Sequence, residues 1–204
     1  MARGSLKSDV AALKLPYNQE FTDFDAMVKA SNPTGILSGR EITKLILESG
    51  KYPEVFAATK YFIHSLVSYT AGNYSDYQDH KRVKGLMVER FFQLPKSIQE
   101  QLSQTGAYNI YRGGNHPVRP DASGMINASF SRKQGVAESF GNKLYTLDDI
   151  ESHGPIILVH RVRELAMNIE KTGAAGKSGF KFDDGTADEG ERIVTNIKWK
   201  PSLS

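Results

Sequence analysis

Through the first hundred positions apolar residues recur at intervals of three and four, the period of a helix with one buried face. Ser38-Gly39-Arg40-Glu41 has the spacing of a capping box. Ile42, Leu45 and Ile46 follow on one side, and Gly50 can end the turn. Pro53 suits the first turn of a second helix carrying Phe56, Phe62, Ile63, Leu66 and Val67 toward Gly72. A third stripe runs through Val83, Leu86, Met87 and Phe91 before Pro95, and Ile98 with Leu102 predicts a short fourth helix. The aromatics of these stripes are expected in the core.

From Tyr108 the grammar changes to short apolar segments between turn signals. The pattern predicts strands over Asn109–Arg112, Met125–Ser131, Pro155–Val162 and Glu191–Trp199. Ile156-Ile157-Leu158-Val159 has too little alternation for a half-exposed strand and reads as a buried central one, with His160 on the same strand. Residues 171–189 are polar and glycine-rich, a loop long enough to suggest a functional role. The expected class is therefore α+β, with an N-terminal helical lobe over residues 1–105 and a β-core over residues 106–204. No internal repeat is evident.

Composition narrows the field by exclusion. The 204 residues suffice for a full hydrophobic core, and 39% hydrophobic content without a long apolar run argues against a disordered or membrane-spanning chain. The stretch Met1-Ala-Arg-Gly-Ser-Leu-Lys lacks the apolar segment of a secretory signal. The absence of cysteine removes disulfides, thiolate metal sites and thiol nucleophiles. A net charge of +3, spread over both halves, forms no basic lobe and disfavours a dedicated nucleic-acid binder.

Three groups in the second half carry candidate chemistry. Arg112 lies in Tyr-Arg-Gly-Gly at a strand end, where a planar guanidinium can hold phosphate or ribose oxygens and glycines permit close backbone approach. Ser129-Phe130-Ser131 opens a segment ending near Phe140. Glu189-Gly190-Glu191 sets two carboxylates two positions apart, on one side of the chain if it is extended there. This ordered set suits cleavage of the nicotinamide–ribose bond of NAD. A carboxylate, Glu191, would stabilise the oxocarbenium-like centre. Ser129 would hold that carboxylate in one rotamer, and Glu189 would orient the incoming nucleophile.

On these residues the chain resembles the mono-ADP-ribosyltransferases of the arginine-serine-glutamate class, which include phage-encoded enzymes and bacterial toxins and effectors. The resemblance runs over about residues 108–194 and more loosely over the helices before them. It implies a split β-sandwich core of the ADP-ribosyltransferase type, NAD as substrate, no metal, and a host or target-cell protein as acceptor, with arginine indicated by the Glu-x-Glu pair. It further implies that Phe140 stacks on nicotinamide, that Gly113 clamps the nicotinamide amide through its backbone, and that Ser131 and Lys143 help hold the dinucleotide. Phe130 stands where such enzymes usually have threonine. The aromatic that presses on the acceptor in many relatives would be Phe180 or Phe182. The expected place of action is the cytoplasm of a host or target cell, reached by a virion or a secretion system. Two other readings remain open: the same chemistry on a nucleic acid, which the Glu-x-Glu pair disfavours, and a catalytically silent interaction module of the same fold.

Other motifs carry less. Gly176-Lys177-Ser178 ends like a phosphate loop, but Lys171 stands where the first glycine is required. The histidines His64, His80, His116, His153 and His160 have no metal-ligand spacing. The acidic run from Asp183 to Glu191 lacks the alternation of a calcium loop. Carboxylates two apart do not readily flank both faces of a sugar bond as in a glycosidase.

Overall fold

A computed structural model describes residues 18–31, 35–72, 74–106, 108–120, 124–152, 154–182 and 190–203. Among the described residues the first half holds the four expected helices, α2 (Gly39–Leu47), α3 (Pro53–Thr70), α4 (Tyr77–Phe92) and α5 (Lys96–Gln101), and before them α1 (Gln19–Ser31), which the sequence pattern did not single out. The capping box at Ser38 is formed, with Glu41 N donating to the Ser38 hydroxyl and Ser38 N donating to the Glu41 carboxylate, each at 3.1 Å. Pro53 does open α3. The free amides of that first turn are satisfied from α1, whose Glu20 carboxylate accepts from Glu54 N at 2.7 Å and Val55 N at 2.9 Å. Phe24, Phe62, Ile63, Leu66, Met87 and Phe91 fill the core between these helices.

The second half begins with β1 (Tyr111–Gly114) and β2 (Ile126–Ser131). Then come the short helix α6 (Gln134–Glu138), β3 (Lys143–Thr146), β4 (Ile150–Ser152), β5 (Ile156–Leu158), helix α7 (Val159–Lys171) and β6 (Glu191–Trp199). The predicted strand over Pro155–Val162 is thus half right. Ile157 is fully buried, flanked by β6 on one side and by residues 102–104 on the other, where Leu158 N donates to Leu102 O and Gln104 N to Ile156 O, both at 2.8 Å. After Leu158 the chain turns into α7, placing His160 in a helical first turn. The reason is visible in the spacing: Val162, Leu165, Ala166 and Ile169 form a stripe of helical period, and all four are fully buried in the helical core. A segment of the second half therefore completes the hydrophobic core of the first. Arg161 and Glu164 of α7 tie it to the start of α2, through Arg161 to Leu37 O and Gly39 N to Glu164 Oε1.

The strands form one antiparallel sheet in the order β3-β1-β2-β6-β4, with β5 also paired to β6. β6 is the spine. One edge pairs with β2, and the other with β5 along Arg192–Val194 and then with β4 along Ile197–Trp199. Opposite Ile126–Ala128 the register slips by one residue, and there Asn196 has a φ of 51° while its amide donates to the Asn127 side chain at 3.1 Å. Such a bulge bends a strand and raises its twist. The result is a curled, half-barrel sheet that carries a second apolar cluster, comprising Ile110, Phe130, Tyr145, Val194, Ile197 and Trp199 among others. The chain is α+β, with N-terminal helices followed by this curled antiparallel sheet. No helix among the described residues is long and apolar enough to cross a membrane.

Candidate functional site

Alternation along β2 and β6 sorts the motif residues. Ser131 is the register partner of Glu191, and Ser129 of Ile193. Paired residues share a face, so Ser129, Ser131, Glu191 and Ile193 look the same way. Ile193 belongs to the helical core, which makes this the face turned toward the helices. Phe130, between the serines, points oppositely and is 2% exposed in the second cluster.

β1 meets β2 only at Tyr111↔Ser131 and then follows β3, with Arg112 opposite Tyr145. The strands open like a fork. Across the opening the Arg112 Nη1 donates to Ser129 O at 2.9 Å, while its Nε is buried and meets no acceptor among the described residues. Burial holds the Arg112 pKa below its ordinary value, against the opposing pull of Tyr69 and Tyr145. A half-buried arginine whose enclosed Nε keeps unused donor capacity favours an anionic or oxygen-rich ligand.

The fork opens on a cavity of about 450 Å³ walled by Arg112, Gly113, Ser129, Ser131, Phe140 and Glu191, with further residues of β1 and α6. A second cavity of about 370 Å³ shares Arg112, His116 and Ser129 with it and continues past Tyr69, Tyr77, His80, Lys84 and Arg119. Each is within the size range of small-molecule sites, about 300–1,000 Å³. Phe140 is 66% exposed at the rim, a large aromatic that the core does not use.

The glycines of Tyr-Arg-Gly-Gly have a packing role beside the ligand-facing one expected of them. A Cβ on Gly113 would lie 1.6 Å from Ala137 O, so α6 presses directly on the β1 backbone. One on Gly141 would lie 2.6 Å from the backbone of Gly114. These close approaches seat α6 and, through Phe140 N donating to Ala137 O at 3.1 Å, the aromatic of the rim.

Of the predicted site residues, then, Arg112, Gly113, Ser129, Ser131, Phe140 and Glu191 are gathered around one cavity. Lys143 is not among the described lining residues; it is exposed at the start of β3, opposite Gly114. Glu189 lies outside the described residues. The extended backbone assumed for Glu189-Gly190-Glu191 begins only at Glu191, because Gly190 has a φ of 63°. Arg192, 6% exposed on the opposite face, holds this entry by donating to Gly190 O at 2.9 Å. Phe180 is no acceptor platform: it is 2% exposed and packs on His64 in the helical core, and Phe182 packs against the same cluster.

One residue at the site comes from the helical half and belongs to no motif. Tyr69, in the last turn of α3 and 8% exposed, brings its hydroxyl to the Ser129 hydroxyl. Burial, then the negative charge of Glu191, push its pKa up to about 12, while Ser129 and Arg112 pull the other way. No local pattern marks Tyr69, because its partner is sixty residues away.

Gly176-Lys177-Ser178 lies in the turns after α7, with no strand leading into it. No cluster of three or more acidic or histidine side chains suited to a metal ion occurs among the described residues. No protein-family model, curated protein or solved structure matches the chain.

Proposed function

We propose that this cleft cleaves the nicotinamide–ribose bond of NAD and transfers ADP-ribose to a protein side chain, with arginine as the acceptor. The observation carrying the reading is convergence. An arginine with an unpartnered buried nitrogen, two serines, an exposed aromatic and a carboxylate, contributed by β1, β2, β6 and the end of α6, surround one cavity of about 450 Å³.

Each role follows from the chemistry of its group. Phe140 offers an exposed ring for nicotinamide to stack on. Arg112 stands between the two cavities, where a diphosphate linking two nucleoside halves would need a planar cation. Glu191 supplies negative charge on the side where the ribose C1′ becomes electron-poor. As the C1′–nitrogen bond breaks, its electron pair leaves with neutral nicotinamide, the acceptor nitrogen bonds to C1′, and the acceptor gives up a proton. Stabilisation of a developing charge by a preplaced opposite charge is commonly the largest single term in enzyme catalysis. Ser129 and Ser131 share the face of Glu191 and orient it and the ribose hydroxyls. Glu189 would position the acceptor. The reading implies action in a compartment that supplies NAD, the cytoplasm of a host or target cell.

The test is transfer of labelled ADP-ribose from NAD to proteins of a cell lysate, comparing the wild type with Glu191→Gln and Glu189→Gln. The expected result is label that requires Glu191, with the hydroxylamine sensitivity of an arginine linkage. Glu189→Gln should reduce transfer more than NAD hydrolysis. Label on RNA or DNA would move the acceptor to nucleic acid, and NAD left intact in every lysate would reduce the site to a binding module.

A further inference from the structure

We propose that Tyr69 is a positioning residue of the cleft, a phenol sent in from the helical layer to fix the direction of the Ser129 hydroxyl. The inference rests on the function proposed above. A serine hydroxyl rotates freely unless a partner fixes it, since it offers one hydrogen and two lone pairs in any staggered position. Ser129 has such a partner in the Tyr69 hydroxyl. The phenol is itself held on several sides. Its ring is stacked by His80 at 5.8 Å with planes 22° apart, Tyr74 lies 6.5 Å away, and the Tyr74 hydroxyl donates to the Tyr69 main-chain carbonyl. Tyr74 and His80 also pack edge to face at 4.6 Å. The position of the phenol oxygen is thus fixed by the end of α3 and the start of α4, not by the sheet it serves.

The direction of the hydrogen bond follows from acidity. A phenol is a stronger acid than an aliphatic alcohol, so Tyr69 donates and Ser129 Oγ accepts. Burial, and after it the nearby charge of Glu191, keep the proton on the phenol. With its lone pair engaged, Ser129 turns its own hydrogen away from Tyr69, into the space it shares with Arg112 and Glu191 at the junction of the two cavities. Tyr69 touches no reacting atom in this scheme. It acts through Ser129, and the helical layer thereby becomes part of the catalytic arrangement.

Two substitutions and their combination test this. Tyr69→Phe keeps the ring and its packing and removes only the hydroxyl; Ser129→Ala removes the group it positions. For NAD hydrolysis each single change should lower kcat about tenfold, the value of one well-placed hydrogen bond, with KM within about twofold. The double variant should be no slower than the singles, because both remove the same link. A double variant about a hundredfold slower, or Tyr69→Phe with wild-type kcat, would overturn the proposal. The same four proteins are unfolded in urea. Non-additive midpoints there report the Tyr69–Ser129 link without reference to activity, and strictly additive ones overturn it. A wild type that cleaves no NAD yet shows this coupling sinks the functional reading and leaves the link standing.

Discussion

Gly113 is the position at which a structural and a ligand-binding explanation of one residue can be separated by size. Adding a single methyl group places a Cβ 1.6 Å from the Ala137 carbonyl oxygen and 2.6 Å from its carbon, where real Cβ contacts do not fall below 3.0 Å. The obstacle is helix backbone, so no side chain can swing aside. Either α6 or β1 must retreat by more than an ångström, and β1 is paired to β3 along its whole length. Overpacking of a well-filled interior costs about 1–3 kcal/mol, and a backbone-to-backbone collision belongs at the upper end, about 3 kcal/mol. In a chain of this size each kcal/mol moves the midpoint by about 2–4 °C, so Gly113→Ala should lower Tm by about 6–12 °C.

Two neighbouring glycines serve as controls. A Cβ on Gly114 would meet only His116 O at 3.5 Å, an ordinary contact, and one on Gly135 in α6 would meet nothing within 4 Å. Gly114→Ala should therefore be nearly neutral, and Gly135→Ala neutral or stabilising by about 0.4–1 kcal/mol through loss of unfolded-state freedom. Thermal unfolding followed by circular dichroism, without ligand, measures all three. A Gly113→Ala midpoint within about 2 °C of the wild type would refute the packing argument and return this glycine to a purely ligand-facing role.

Phe140→Ala should leave stability within about 0.5 kcal/mol, since the ring is 66% exposed, while weakening NAD about tenfold or more through lost stacking; calorimetry showing equal affinity would remove the stacking role. Arg112→Lys keeps the charge and loses the planar fork, so NAD affinity should fall at least tenfold, and an unchanged Kd would show that only charge matters there. The third concerns pH. The Tyr69 phenol has a folded pKa of about 12 against 10.0 unfolded, so the folded state keeps a proton that the unfolded state sheds. Its contribution is whole below pH 10 and is lost as pH rises from 10 toward 12, with about 1 kcal/mol gone by pH 11. The difference in urea stability between wild type and Tyr69→Phe should shift by that amount between pH 8 and pH 11, and a constant difference would contradict it.

What could be read from sequence was what short-range periodicity encodes. β6 is legible in the sequence because Ile193-Val194 and then Ile197 and Trp199 follow a polar, glycine-rich loop, and α2 because Ser38 and Glu41 announce its start. β3 and β4 carry no such signal, because Lys-Leu-Tyr-Thr and Ile-Glu-Ser hold no run of apolar residues like Ile156–Val159 and lie within a polar stretch. At Val159 two signals competed. The apolar run Ile156–Val159 argued for more strand, while Val162, Leu165, Ala166 and Ile169 argued for a helix, and burial against the first-half helices decided for the helix. Phe180 misled for a related reason: an aromatic in a polar loop resembles an exposed platform, and only the tertiary contact with His64 shows it to be core.

The same contrast explains the site. Ser129, Ser131 and Glu191 group in the sequence only as members of one ordered motif set; that they share a face follows from alternation along the strand and from the pairing of β2 with β6, which carries that face across to the carboxylate. It also explains Phe130, which breaks the serine-triplet pattern without emptying the cleft. It borders the cavity, but the middle residue of the triplet must point away from the flanking serines, and here Phe130 belongs to the second buried cluster with Tyr145 and Trp199. A threonine there would have placed a hydroxyl among apolar groups, so the phenylalanine answers to the second core and not to the ligand. Tyr69 obeys no such local rule. It reaches Ser129 only because α3 ends where α4 begins to pack on β2, and that meeting of helix and sheet, not any motif, decides which way the serine hydroxyl points.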